Sequence, residues 1–358
     1  MNTDVIRAAS SLSPPRLTEL LRASGALQDG EVQSVQTALL ESNAGDQIYR
    51  VKASYSASTD AQPPEKMILR VSEDQLAFQT HEAVFYDQIA PEMSAATASA
   101  FEQPYITCYH VAYNSPRQQS SFLLADIDQS HTRLEFPMPP TQPQSFSMVD
   151  SLSRVHAHWW EHPWLGGQLG DSWDETRIQR LIQRGNRNGL AFLKFAGDRL
   201  VPRDREALEQ IAAKWPQDRV DHLIERKRWT LVHGDAHPGN FRIPKTADIQ
   251  PAILTPWESW RVDTGTDDLA FMVAAHWYPA LRQAQEKLLL RRYHENLLRL
   301  GVENYAWDDC CYDYRASILR VLFFLIGGWR RRRDPVLYWD RLEKSLLAYD
   351  DWDCQELL

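Results

Sequence analysis

Neither cysteine nor positive charge is plentiful in this chain. Its 39 Lys and Arg are outnumbered by 48 Asp and Glu, for a net charge of −9. A nucleic-acid binder needs a basic surface to displace phosphate counterions, so that class is disfavoured. Electrostatic adhesion to an anionic membrane is disfavoured on the same ground. Only 4 Cys occur, Cys108, Cys310, Cys311 and Cys354. Their spacing fits no zinc pattern, and adjacent Cys310 and Cys311 are poorly placed to bridge each other. Reduced thiols in a cytoplasmic protein are the expectation. No apolar run is long enough to span a bilayer; the best, Val321–Gly328, is about eight residues and runs into Trp329 and a block of arginines. The opening Met1-Asn2-Thr3-Asp4 lacks the charged-then-apolar layout of a signal peptide. No internal repeat is visible.

At 358 residues the chain is long for one compact domain and comfortable for two lobes. An apolar fraction of 43% supplies sizeable cores, and 13 Trp either wall a ligand pocket or simply pack. Patterning places a short helix at Pro15–Ser24. Strand-like residues follow at 32–40, 47–55 and 67–71, with Ser42-Asn43-Ala44-Gly45-Asp46 linking the first two. A polar stretch over Ser56–Pro64 reads as a hairpin loop. Asp74–Ile89 has helical periodicity, with Pro91 expected to stop it. Phe122-Leu123-Leu124 reads as another strand. After Pro-rich residues 137–143 the pattern turns helical, over Ser147–Trp160, Glu175–Ala196 and Arg203–Trp215. A small hairpin (240–243 and 250–254) interrupts it. Helices then resume at Asp268–Trp277, Leu281–Leu300, Asp308–Leu325 and Pro335–Leu347. A β-rich first third and a helical remainder predict an α+β protein of two lobes, divided as 1–128 and 129–358.

The most informative stretch is His233-Gly234-Asp235-Ala236-His237-Pro238-Gly239-Asn240, set between apolar Leu231-Val232 and strand-like Phe241-Arg242-Ile243. Asp235 is a carboxylate suited to accept a hydroxyl proton, and Asn240, five residues on, an amide suited to hold a metal ion. Phosphoryl transfer needs mostly positioning and charge neutralisation, so such a pair is a sufficient nucleus for a site. Arg70 on the third strand and Glu82 on the next helix are spaced to pair, the Arg free to grip phosphates. The Ser42–Asp46 turn either cradles an anion through its backbone N–H groups or is an ordinary hairpin, since it has one Gly and no GxGxxG. His156 and His158, two apart on a helix, do not share a face, which disfavours a metal pair and favours a buried core histidine. His233 is expected to brace the loop backbone; His237 either orients Asp235 or shapes the turn. Arg330–Arg333 answer a helix C-terminal dipole.

Together these residues resemble the aminoglycoside phosphotransferase superfamily of kinase-like proteins, whose relatives include choline and ecdysteroid-kinase-like proteins. The likeness covers roughly residues 30–345, and HGDxHxxN is its most specific motif. His81-Glu82-Ala83-Val84-Phe85-Tyr86 is similar to the family's acid-bearing helix, Leu123-Leu124 with Asp126 to the hinge strand that contacts adenine, and Asp268-Leu269-Ala270 to the helix after the metal loop. The resemblance implies a two-lobed kinase-like fold with an N-terminal ATP-binding lobe. It makes Asp235 the catalytic base and Asn240 a Mg²⁺ ligand. Arg70, Glu82, Ser42, Asn43, Gly45, Leu124 and Asp126 fall to the nucleotide. The family's metal-binding Asp falls at Pro256, followed by Trp257-Glu258. Glu258, Asp263 and Asp267 are then the candidates to replace it. The function expected is transfer of the ATP γ-phosphate to a hydroxyl of a small molecule. The alternative is a degenerate relative that binds a nucleotide or ligand without transfer.

Overall fold

The computed structural model describes residues 4–43, 45–56, 63–73, 78–96, 103–135, 138–246, 251–331 and 334–358. The chain divides into two compact units, Met1–Thr132 with Pro244–Ser259, and Arg133–Ile243 with Trp260–Leu358.

The first unit is built on an antiparallel sheet of five strands: β1 (Val32–Asn43), β2 (Asp46–Tyr55), β3 (Lys66–Ser72), β4 (Cys108–Asn114) and β5 (Gln119–Ala125), in the order β1-β2-β3-β5-β4. Alternation decides its two faces. Val51, Met67, Leu69, Val71 and Leu123 point one way and bury against helix α1 (Pro14–Ala23), which contributes Leu17, Leu20 and Leu21. α1 starts where it does because Ser13 caps it and Pro14 and Pro15 open its first turn. Each such Leu contributes at most about 1.5–3 kcal/mol of hydrophobic stabilisation. The residues between them point the other way. Register pairs Ile48 with Arg70, Arg50 with Ile68, and Lys52 with Lys66. It also pairs Arg70 with Phe122 and Ile68 with Leu124. Partners across a ladder share a face, so this second face carries Arg50, Lys52, Lys66 and Arg70 together.

The helical stretch expected up to Pro91 is longer and less regular than its pattern suggested. α2 (Phe78–Val84) passes into a single wide turn at Phe85–Ile89 and then into α3 (Ala90–Ala96), so Pro91 lies inside the run. The wide turn shifts the hydrogen-bond register to Ala90 N–H donating to Phe85 C=O. That leaves Pro91 at the first turn of a new segment, where no donor is needed. Residues 74–77 lie outside the described residues, as do Ala44 and most of the polar loop after Ser56.

The second unit is mainly helical: α4 (Gln142–His158), α5 (Glu175–Ala196), α6 (Pro202–Ala213), α7 (Gln217–Ile224), α8 (Thr266–Val273), α9 (Pro279–Arg299), α10 (Trp307–Gly328) and α11 (Pro335–Asp351). α4 opens with a capping box between Thr141 and Gln144. α5 and α10 cross closely at Gly185, where any Cβ would lie 1.9 Å from the Phe323 ring. Short strands β6 (His131–Arg133) and β8 (Phe241–Pro244) lie where the chain passes between units, β9 (Ile253–Leu254) lies in the first unit, and β7 (Trp229–Val232) pairs antiparallel with β10 (Arg261–Thr264). That pair launches the HGDxHxxN loop from the end of β7 and α8 from the end of β10. Among the described residues no helix is long and apolar enough to cross a membrane.

Candidate functional site

The loop after β7 is held from below by a carboxylate. Asp268, buried near the start of α8, accepts the His233 N–H at 2.6 Å on Oδ2 and the Gly234 N–H at 2.8 Å on Oδ1. His156 of α4 approaches Oδ2 with Nε2 at 3.3 Å, and its Nδ1 lies 2.9 Å from the Tyr293 hydroxyl. Burial alone would push Asp268 upward; the hydrogen bond from His156 and neighbouring positive charge outweigh it and hold the group below the usual carboxylate range. Gly265 permits the approach, since a Cβ there would sit 2.3 Å from the Tyr293 oxygen. His156 is thus a fully buried, hydrogen-bonded core residue rather than a metal ligand. Sequence reading matched Asp268 as part of a motif but missed its role as the clamp of the loop.

Above this clamp the loop presents Asp235 to solvent, its side chain 45% exposed. The Asn240 side-chain amide donates to the Asp235 carbonyl at 2.8 Å and to its carboxylate Oδ2 at 3.1 Å. Asp235 and Asn240 are therefore brought together as the spacing suggested, with the amide nitrogen fixing the acid and the amide oxygen turned away from it. His233 braces the loop as expected: its Nδ1 accepts the Asp235 N–H at 3.3 Å. His237 shapes the turn, its Nδ1 accepting the Gly239 N–H at 3.1 Å, and it also stands beside Asp235, Nε2 3.9 Å from Oδ2. Burial lowers the His237 pKa, against the pull of Asp235.

In the first unit Arg70 and Glu82 meet as an ion pair, with Glu82 1% exposed. The Arg70 guanidinium lies over the Phe122 ring at 4.3 Å from its centroid. Its own pKa is raised: burial opposes the charge, and Glu82, helped by Glu258, overcomes it. Glu258 therefore works in the field of Arg70. Pro256 follows a cis peptide after Thr255. Trp257 behind it is buried, stacked on Phe85 at 4.0 Å with its indole N–H on the Leu254 carbonyl at 3.0 Å.

Ser42 and Asn43 are strand residues paired with Gln47 and Asp46, and Gly45 closes the turn at φ +93°. Ser42 and Asn43 thus belong to a hairpin between β1 and β2. Leu124 is buried on the second face of the sheet. Asp126 accepts from Arg50 Nε at 2.7 Å, and Asp128 also pairs with that guanidinium. Beside them a concavity of about 540 Å³ has among its lining Gln36, Arg50, Lys52, Lys66, Asp126 and Asp128. That volume lies within the range of small-molecule sites. The sequence reading missed Arg50, Lys52 and Lys66; the signal was there, since all three share the parity of Arg70 on their strands.

Asp263 and Asp267, considered as replacements for the missing metal ligand, are spent elsewhere. Both are buried in an arginine cluster. Arg219 meets Asp263 at 3.0 Å and Asp267 at 2.9 Å, and Arg320 meets them at 2.5 and 3.2 Å. Burial resists ionisation of Asp263, but Arg320, Arg219 and Arg261 hold its pKa well below the usual range. Mg²⁺ asks for near-octahedral oxygens, usually with one or two carboxylates. Among the described residues no three His, Cys, Asp or Glu are grouped to hold a metal. Asp263, Asp267 and Asp268 are thus committed to other partners and are not free to stand in for the carboxylate missing at Pro256. All four cysteines are free.

No family model matches the chain, and no curated protein matches it. Solved structures do. A protein from Ralstonia eutropha JMP134, described provisionally as an aminoglycoside phosphotransferase, superposes with a TM-score of 0.54 at 14% identity, over 95% of this chain and 97% of its own. A microcompartment-associated aminopropanol kinase follows at TM-score 0.49 and 14% identity, over 93% and 96% of the two chains. A choline/ethanolamine kinase family protein from Mesorhizobium loti stands at 0.45 and 12%, over 90% and 87%. The first of these shows the fold: this chain is α+β, kinase-like in its architecture.

Proposed function

We propose that the chain is a nucleotide-dependent phosphotransferase acting on a hydroxyl of a small molecule. The observation that carries this is Asp235: a half-exposed carboxylate fixed by Asn240 on a loop whose backbone is gripped by buried Asp268. A loop needed only as a connection has no use for that arrangement. In the reaction the acceptor oxygen attacks the γ-phosphorus of ATP and a new P–O bond forms. The bond from that phosphorus to the β-γ bridging oxygen breaks, ADP leaves, and the hydroxyl proton passes to the Asp235 carboxylate. Within the first unit, Arg70 paired with Glu82 is a cation suited to phosphate. The concavity beside Lys52 and Lys66, where Arg50 is paired to Asp126 and Asp128, is of a size that would take a nucleotide. Mg²⁺, when bound to the nucleotide, would neutralise phosphate charge.

The test is Asp235→Asn. It is expected to lower acceptor-dependent ADP release by about 10²–10⁴-fold. An unchanged rate would remove the reading. A second reading is favoured by one observation: the carboxylates of Asp263 and Asp267 are consumed by arginines, and position 256 is proline. The chain would then bind a nucleotide or metabolite without transfer. Under it, Pro256→Asp strengthens nucleotide binding in a Mg²⁺-dependent way, and rapid turnover by the native protein rules it out.

A further inference from the structure

Asp235 has cationic company. α11 carries Arg341 and Lys344, one helical turn apart and so on one face. The field of Arg341 bears on Asp235, His237 and His276. The His237 and His276 rings lie 5.6 Å apart, and Phe271 meets His276 edge-on at 4.7 Å, forming an aromatic wall. Lys344 reaches to within 3.4 Å of the His276 carbonyl and lies 4.6 Å from the Tyr278 centroid.

The acids of this region are already used. Asp340 accepts from Lys344 at 2.8 Å. Asp334 caps α11, accepting the Val336 and Leu337 N–H groups at 2.8 and 3.2 Å. Arg341 is the exception: it is half-buried, and among the described residues no carboxylate lies within 4.0 Å of its guanidinium. A partly desolvated guanidinium without an ion pair is a fork waiting for a planar or tetrahedral oxyanion. Of the carboxylates named here, only Asp235 stands beside the reacting position, and Arg341 already bears on it.

We propose that the acceptor taken at Asp235 is an anionic hydroxyl compound, a hydroxy acid or a phosphorylated polyol, whose oxyanion is forked by Arg341 with Lys344 beside it. This deepens the transferase reading and rests on it for the position of the reacting hydroxyl; the anion site itself rests on α11.

The experiment compares acceptors by charge, with ATP in excess: glycerate, gluconate and glycerol 3-phosphate; glycerol and glucose; ethanolamine, choline and kanamycin. The anionic group is expected to give the highest kcat/KM. Glycerate against glycerol 3-phosphate separates carboxylate from phosphate. Arg341→Gln is expected to lower kcat/KM for the preferred anion by about 10–100-fold and to narrow the anionic-to-neutral ratio by the same factor. Arg341→Lys, which keeps the charge and loses the fork, should fall between; a melting curve for each variant checks folding. Preference for the neutral or cationic group overturns the proposal and leaves the transferase reading standing. A loss that is equal for every acceptor also overturns it, because Arg341 then serves the nucleotide or the fold. If no acceptor is phosphorylated, calorimetric titration decides. Saturable binding of glycerate or glycerol 3-phosphate, weakened in Arg341→Gln, upholds the anion site while ending the transferase reading. No binding of any anion ends the proposal.

Discussion

Replacing Asp268 by Asn tests the architecture of the loop directly. The aspartate uses both oxygens on backbone donors, His233 N–H at 2.6 Å and Gly234 N–H at 2.8 Å. Asparagine has one oxygen. Whichever donor keeps it, the other faces an NH₂ group, donor against donor, at a side chain only 1% exposed. The substitution removes one charge-assisted hydrogen bond, worth about 1.5–3 kcal/mol, and leaves a buried N–H unpaired at a further 1–3 kcal/mol. A total of about 3–5 kcal/mol follows. At roughly 2–4 °C per kcal/mol for a unit of this size, the expected fall in melting temperature is about 10 °C. Because two units need not melt together, calorimetry is the assay, with the transition of the helical unit followed by tryptophan fluorescence. The pH dependence adds a second signature. The folded pKa of Asp268 is depressed, so its stabilisation is present above the unfolded value, about 4, and is lost as pH falls through the folded value. The gap between wild type and Asp268→Asn should therefore close below about pH 4. A shift under about 2 °C at pH 7, or a gap that widens in acid, would refute the clamp.

Two further outcomes are expected. Arg70→Ala strands Glu82, 1% exposed, as a buried carboxylate without its partner, and should cost about 3–5 kcal/mol; Glu82→Gln should cost less, because Arg70 retains some contact with water, and equal losses in denaturant titration would count against the pairing. Burial pushes the Asp313 carboxyl up to about 6, against the pull of Arg228 and the Tyr305 hydroxyl. A raised folded pKa in an acid stabilises the protonated protein, so that contribution is present below about pH 4 and lost as pH rises through about 6. Asp313→Asn should gain on wild type across that window in thermal melts, and a constant difference would show that Asp313 is not the group responsible.

Much of this was legible because periodicity and burial agree. On β3, Met67, Leu69 and Val71 are apolar while Lys66 and Arg70 are not, so parity alone predicts which side Arg70 takes. HGDxHxxN announced the Asp235–Asn240 contact because a short loop leaves those two little freedom. The arginine cluster was not legible. Arg219 on α7 meets Asp263 and Asp267 from 44 and 48 residues away, and no local pattern distinguishes a carboxylate free for a metal from one spent on arginine. α7, β4 and β10 went unassigned: α7 and β10 are short, and β4 mixes Cys108, Tyr109 and His110 with Val111 and Ala112 without a clean alternation. The π-turn before Pro91 was hidden for a different reason. Proline reads as a stop from sequence, and only a shifted hydrogen-bond ladder makes it harmless.

The clamp also bears on assembly during synthesis. The string from His233 to Asn240 leaves the ribosome before Asp268, and well before Tyr293, which braces His156. Until the 28 residues from Phe241 to Asp268 have emerged, the loop has its letters but nothing to grip its backbone. A fragment cut after β8 would keep the whole motif and lose its shape. The order of events is written into the chain: helices α8 and α9 arrive late, and the reactive-looking acid is set only when they dock.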